Sequence, residues 1–203
     1  MSGGRPDPDR AAAAPRVAVA YHSGYGHTEV LADAVRAGAQ ESGALVRTVA
    51  VESMTDADWE FLDAADGIVF GTPTYMGAAA AAFQAFAEAT SPRWSRRAWD
   101  GKAAAGFTVS GAKSGDKLNT LQALSVLAAQ HGMVWVSLGL LPGWNSSTAS
   151  EHDLNRLGFY LGVGAQANVD EGAEAVTKAD AETARHLGAR IASVAAALAA
   201  ARG

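Results

Sequence analysis

A chain of 203 residues, 49% hydrophobic and 18% charged, has enough apolar material for one α/β domain with a sizeable core. Its net charge of -5 and lack of any long basic run exclude a general nucleic-acid binder. With no cysteine, disulfides, thiolate metal sites and cysteine catalysis are excluded too.

No apolar run approaches the roughly 20 residues that span a bilayer. Residues 1–15 are rich in Ala, Pro, Arg and Asp and lack an apolar signal-peptide core. They read as a disordered tail ahead of a domain over residues 16–203, in a cytoplasmic protein that contacts neither membrane nor nucleic acid. The first strand is expected over residues 16–21. The helix after it, residues 27–42, carries Val30, Leu31, Ala34, Val35 and Ala39 on one face and is closed by Gly43. Residues 45–51 read as a second strand and 55–65 as a short helix, with Asp56 and Asp58 near its start and Trp59, Phe61 and Leu62 as anchors.

Residues 66–70 make a third strand, too apolar to face water on either side, as in a parallel sheet covered by helices. A loop over 71–77 leads to an Ala-rich helix, 78–89, and then to a connecting loop, 91–100, carrying Trp94 and Trp99. A fourth strand over 102–110, a loop over 111–115, a helix over 116–131 and a fifth strand over 133–138 follow. Residues 140–174 show no clear period, and loops of that length are usually functional. A last helix covers 179–201. Strands alternating with helices predict a doubly wound, five-stranded parallel sheet with helices on both faces and right-handed crossovers. Ligands of such sheets bind beyond the carboxyl ends of the strands. Loops 22–28, 71–77 and 110–115 stand there, all rich in Gly, Ser or Thr.

The first of these loops, Tyr21-His22-Ser23-Gly24-Tyr25-Gly26-His27-Thr28, lies between a strand and a helix. Backbone N–H groups, hydroxyls and a helix N-terminus together make a phosphate cradle; the plain alternative is an ordinary turn. A nicotinamide fingerprint needs G-x-G-x-x-G. Gly24 and Gly26 fit it, but Glu29 takes the third position, although Glu52 could serve as the ribose-binding acid. A phosphate-binding P-loop is ruled out because Ala112 precedes Lys113-Ser114, and no G-x-S-x-G elbow occurs. The five histidines, at 22, 27, 131, 152 and 186, have no metal-ligand spacing. What remains is a loop for a monophosphate, with Ser23 and Thr28 as hydroxyl donors and Gly26 allowing close approach.

Together with Phe70-Gly71-Thr72-Pro73-Thr74-Tyr75-Met76-Gly77, Gly101-Lys102 and Gln130-His131-Gly132-Met133, that loop resembles the flavodoxin-like superfamily. The likeness is greatest to its WrbA-type NAD(P)H:quinone oxidoreductases and NADPH-dependent FMN reductases, and covers residues 16–140, with a looser match over 156–200. It implies a sheet of order 2-1-3-4-5, FMN as cofactor, NADPH or NADH as electron donor, and a quinone or related aromatic acceptor reduced by two electrons through flavin N5. It places Ser23, Gly24, Tyr25, Gly26, His27 and Thr28 at the FMN phosphate, and Pro73, Thr74, Tyr75, Met76 and Gly77 along one edge of the ring. Ser110, Gly111, Ala112, Lys113, Ser114 and Gly115 fall on the pyrimidine side. His131 falls beside the flavin, or reaches it from a neighbouring subunit. Tyr25 and Trp94 fall in the substrate pocket, and Tyr21, Tyr75, Trp94 and His131 form a π-rich set, with His131 and Tyr75 as the candidates for a catalytic role. Each has a plain reading: Tyr75 and Met76 as core, Trp94 packed on Trp99 or Phe86, His131 as a helix cap. Lys113 is either a solvated loop charge or a cation near the flavin N1–C2 edge.

The sequence departs from that family in three places: a missing insertion before the third strand, Ala112-Lys113-Ser114 in place of a glycine run, and an unmatched stretch after Leu140. The rival readings are a flavodoxin-type electron carrier serving a redox partner and a pathway-specific flavin reductase of natural-product biosynthesis. An Ala-lined helix at 78–89, with the 140–175 region, suggests a homodimer or homotetramer.

Overall fold

The computed structural model describes residues 14–202. All but the last two residues of the expected N-terminal tail lie outside them. A five-position sheet forms the centre, in the order β2-β1-β3-β5-β6. Its parallel strands are β1 (Arg16–Tyr21), β2 (Leu45–Ala50), β3 (Gly67–Tyr75), β5 (Ala103–Ser110) and β6 (Val134–Trp135). This is the predicted 2-1-3-4-5 order, with two additions. Strand β4 (Ala78–Ala79) folds back antiparallel on the end of β3, and β7 (Val163–Gln166) pairs with the second half of β5.

The fifth position is therefore shared. Strand β6 covers Ala103 and Ala104, and β7 covers Phe107 to Ser110, with residues 136–162 running between them. The expected six-residue fifth strand is thus cut to two. The third strand instead grows from five residues to nine, because Gly71, Thr72 and Pro73 pair with β5 at Phe107, Thr108 and Val109. Pairing across the sheet overrides the turn character of a Gly-Thr-Pro sequence.

Helices α1 (His27–Glu41) and α6 (Lys178–Arg202) cover one face, burying Leu31, Val35, Leu187 and Ile191 against Val17, Val19 and Val69. Helices α2 (Asp56–Ala64), α3 (Ala81–Ala89) and α5 (Lys117–Gln130) cover the other, with Leu62, Phe83, Phe86, Leu121 and Leu124 around Phe70. The alternation of strand residues between the two cores follows the pleat. Thr55 and Asp58 start α2 with a reciprocal capping box. The crossing of α1 and α6 depends on absent side chains. A Cβ on Gly38 would lie 1.9 Å from the Arg185 carbonyl oxygen, and one on Gly188 would lie 2.0 Å from that of Val35. A short helix, α4 (Ser91–Ser95), occupies part of the expected 91–100 loop, with Pro92 in its first turn. Among the described residues no helix is long and apolar enough to cross a membrane.

Candidate functional site

Strands β1, β3, β5 and β7 end together around two adjoining cavities of about 430 and 420 Å³. The first wall is the loop entering α1. Gly26, at φ 88°, is the N-cap and supplies no side-chain cap. The Glu29 N–H goes to Ser23 Oγ and the Val30 N–H to the Gly26 carbonyl. The N–H groups of residues 23–28 find no acceptor among the described residues. Six free donors at a helix N-terminus form an anion cradle. Thr28 is buried yet lines the cavity, with no partner for its hydroxyl among the described residues.

The second wall is the β3–β4 hairpin. Met76 and Gly77 form its two-residue turn, both at positive φ (48° and 79°), as a I′ turn demands. Met76, a non-glycine in that region, is fully exposed at the tip. Tyr75 meets Tyr25 edge-on at 6.3 Å. Gly24 is bare because a Cβ there would stand 2.6 Å from the Tyr75 hydroxyl. The Thr74 hydroxyl turns inward, donating to Thr120 (2.8 Å) and paired with Thr108 (2.7 Å), so only its backbone faces the cleft.

The third wall is residues 110–115, whose Ser110, Gly111, Ala112 and Gly115 line the cavity. The N–H groups of residues 111–116 have no acceptor among the described residues. Lys113 is exposed, its Nζ 5.3 Å over the Trp144 ring. Ser114 is likewise exposed. The cation of this wall is Lys117, one turn further on. It is fully buried, and its Nζ donates to Ser110 Oγ (2.9 Å) and the Ala112 carbonyl (2.6 Å). Burial lowers its ammonium to about 8, with Asp180 opposing the shift and Arg156 adding to it.

Sequence reasoning missed the fourth wall. Ala167, Asn168, Val169 and Asp170, which follow β7, line the cavities. His27 ties this loop to the first wall, donating from Nε2 to the carbonyls of Glu171 (3.0 Å) and Gly172 (2.8 Å). Gln166 ties it to the third, donating to the Gly111 carbonyl at 3.1 Å. The buried Arg156–Asp180 pair holds Gln166 from behind, Asp180 accepting its N–H at 3.0 Å. The only signal in the sequence was the length of the 140–174 stretch.

Three residues of the expected π-rich set lie away from this cleft within the chain. His131 and Trp94 share a separate pocket at the opposite end of β5, roughly 23 Å away at 3.3 Å per strand residue. Gly132 there hydrogen-bonds Gly101, ahead of the strand. His131 is buried, its ring tilted by 33° against that of Trp99 at 4.5 Å, and shares a 2.9 Å hydrogen bond with Thr90. A helix carries it away from the cleft because α5 runs antiparallel to the strands it joins. Tyr21 packs on the α1 face and points its hydroxyl at Glu29.

The cleft suits FMN on two counts. One wall offers six N–H donors to a phosphate at a helix N-terminus. Tyr25, Met76 and Val169, exposed by 75%, 103% and 83%, form an apolar rim of the kind a flat ring would cover. Among the described residues no cluster of His, Asp or Glu is placed to hold a metal.

The model of the family described as NADPH-dependent FMN reductase matches residues 17–142. Flavodoxin FldP of Pseudomonas aeruginosa is 43% identical over 179 residues, spanning 88% of this chain and 96% of its own. An NAD(P)H dehydrogenase (quinone) of Caulobacter vibrioides is 34% identical over 140 residues, 61% of this chain and 70% of its own. A solved flavodoxin, WrbA-like protein from Agrobacterium tumefaciens superposes with a TM-score of 0.71 at 42% identity, covering 89% of this chain and 97% of its own. Matching motifs, sheet order and cleft all agree: the chain belongs to the NADPH-dependent FMN reductase family, as a flavodoxin-like, FMN-dependent oxidoreductase.

Proposed function

We propose that the protein passes two electrons from NADH or NADPH to a quinone or related aromatic acceptor. Bound FMN would supply the redox chemistry, hydride transfer through N5. The chain's own work is binding, orientation and electrostatic tuning, because hydride transfer needs no dedicated acid or base. In this reading residues 23–28 hold the phosphate, residues 73–77 run along one edge of the ring, and residues 110–115 face its pyrimidine side. Tyr25 and Tyr75 stand where nicotinamide and acceptor would bind in turn. The observation that carries the reading is the apolar rim of Tyr25 and Met76 left open above the cradle.

The test mixes the FMN-loaded protein, without oxygen, with NADPH or NADH and then a benzoquinone. Flavin bleaching followed by steady turnover is expected. No bleaching by either nucleotide, with reduction only through a partner reductase, would overturn the proposal. That outcome would favour an electron carrier, the role suggested by the name of the 43% identical flavodoxin.

A further inference from the structure

Lys117 poses a physical question that the fold does not answer. A fully buried ammonium loses its hydration, and such groups are normally compensated by a carboxylate or a helix C-terminus. Lys117 has neither. It opens α5 and so stands at the positive end of that helix. Among the described residues no carboxylate forms an ion pair with it; the nearest acidic influence, Asp180, is already bound in two-point fashion by Arg156. Lys117, Arg156 and Asp180 together leave one net positive charge buried behind the third wall. Lys117 is separated from the cavity by a single hydrogen bond, through Ser110, which lines both cavities. In front of it lie the free N–H groups of residues 111–116. Lysine and donors together make the inner side of this wall electropositive, while the carboxylates nearby are Asp116, exposed at the wall's end, and Asp170 on the fourth wall.

Resting on the FMN reading above, we propose that Lys117 is an electrostatic positioning residue that sets the cofactor's redox balance, its charge favouring the anionic two-electron-reduced flavin over the oxidised form. Two-electron reduction of bound FMN by hydride would leave its ring one charge more negative than the oxidised form. With FMN held as proposed, this wall would favour the more negative, reduced ring over the neutral oxidised one. A unit charge one hydrogen bond behind the lining, at an effective dielectric of about 20, is strong enough to shift the balance at least tenfold. The 23–28 cradle, by contrast, meets a phosphate whose charge does not change with redox state. Lys117 should therefore affect reduced FMN more than oxidised FMN.

The test is a spectroelectrochemical titration of the FMN-loaded protein and its Lys117→Met and Lys117→Gln variants, with oxidised FMN affinity measured by fluorescence quenching. Gln keeps a donor for Ser110 and the Ala112 carbonyl but removes the charge. Both variants are expected to bind oxidised FMN within about threefold of the parent. Both should lose ten- to a hundredfold in preference for reduced FMN, a fall of about 30–60 mV at 29.6 mV per tenfold for two electrons. A preference unchanged within twofold in both variants, with oxidised FMN still bound, would overturn the role of Lys117 and leave the cofactor reading intact. A parent chain that bound no FMN would overturn both.

Discussion

Strand β5 has a buried lysine beyond each end, and the two are held in different ways. Lys102, just before the strand, gives its Nζ to the carbonyls of Leu62 and Asp63 in the last turn of α2, where the helix dipole welcomes a cation. Lys117, beyond the other end, binds one hydroxyl and one loop carbonyl at the rim of a cleft. Burial lowers both ammonium groups to about 8. The Lys102 end is closed around its lysine and cross-linked, with the Trp94–His131 pocket beside it: the Asp63 carboxylate alone accepts from Arg93 (3.1 Å), Arg96 (2.6 Å) and the Trp99 indole (2.8 Å). The Lys117 end carries two rows of free N–H groups. Burial and a lowered pKa therefore do not by themselves mark a functional lysine. The partners do: one ammonium completes a helix, and the other faces a place for something else.

The largest expected effect would break this contrast if it failed. Lys102→Met should cost about 2–3 kcal/mol, because it leaves two carbonyls at a helix end without their charged donor. Lys117→Met in the apo protein should be neutral or stabilising, since it removes a buried charge that no carboxylate compensates. Urea melts of the two apo variants decide the point, and equal losses would mean that both lysines serve the fold.

The sequence carried the frame of the cleft further than its contents. Val17, Val19, Ile68, Val69 and Phe70 announced buried parallel strands, and Leu31 and Val35 a helix face, because their periods are set by local geometry. The short β7, Val163-Gly164-Ala165-Gln166, has no such period. It is a strand only because β5 offers the second half of an edge, so its cleft residues Ala167 to Asp170 could not be read in advance. Lys113 and Lys117 lie four residues apart with nothing in composition to separate them; only the turn into α5 buries one and exposes the other. The resemblance carried His131 to the flavin of its own chain or of a neighbour, and within the chain α5 ends at the far side of the sheet.

A second test sharpens the open end. Thr28 is buried against the cavity with its hydroxyl free, and valine keeps its shape. Thr28→Val should weaken FMN binding about tenfold, or about 1.4 kcal/mol, while leaving riboflavin, which lacks the phosphate, unchanged. Equal losses for the two flavins would move the phosphate away from this wall. The melting temperature of the apo variant should stay with the parent, as no partner within the chain is lost.

The smallest effect belongs to the closed end and turns on one tautomer. The Thr90 hydroxyl gives its proton to the Ala87 carbonyl (2.6 Å), so it accepts from His131 Nε2–H at 2.9 Å. Nδ1 is then a bare acceptor, buried and without a partner among the described residues. Burial holds the imidazole pKa below its ordinary value. As pH falls through about 6.5, the unfolded chain takes up this proton before the folded one, so stability falls with acid. His131→Phe keeps a ring against Trp99 but has nothing to protonate. At pH 7.5 it should cost about 1 kcal/mol for the lost Thr90 bond. By pH 5 that deficit should shrink toward zero, because only the parent still pays for keeping its ring neutral. Denaturant melts across that range would show the two curves converging. A constant gap would mean that His131 takes up its proton equally well in both states, and that the closed end has room for a cation after all.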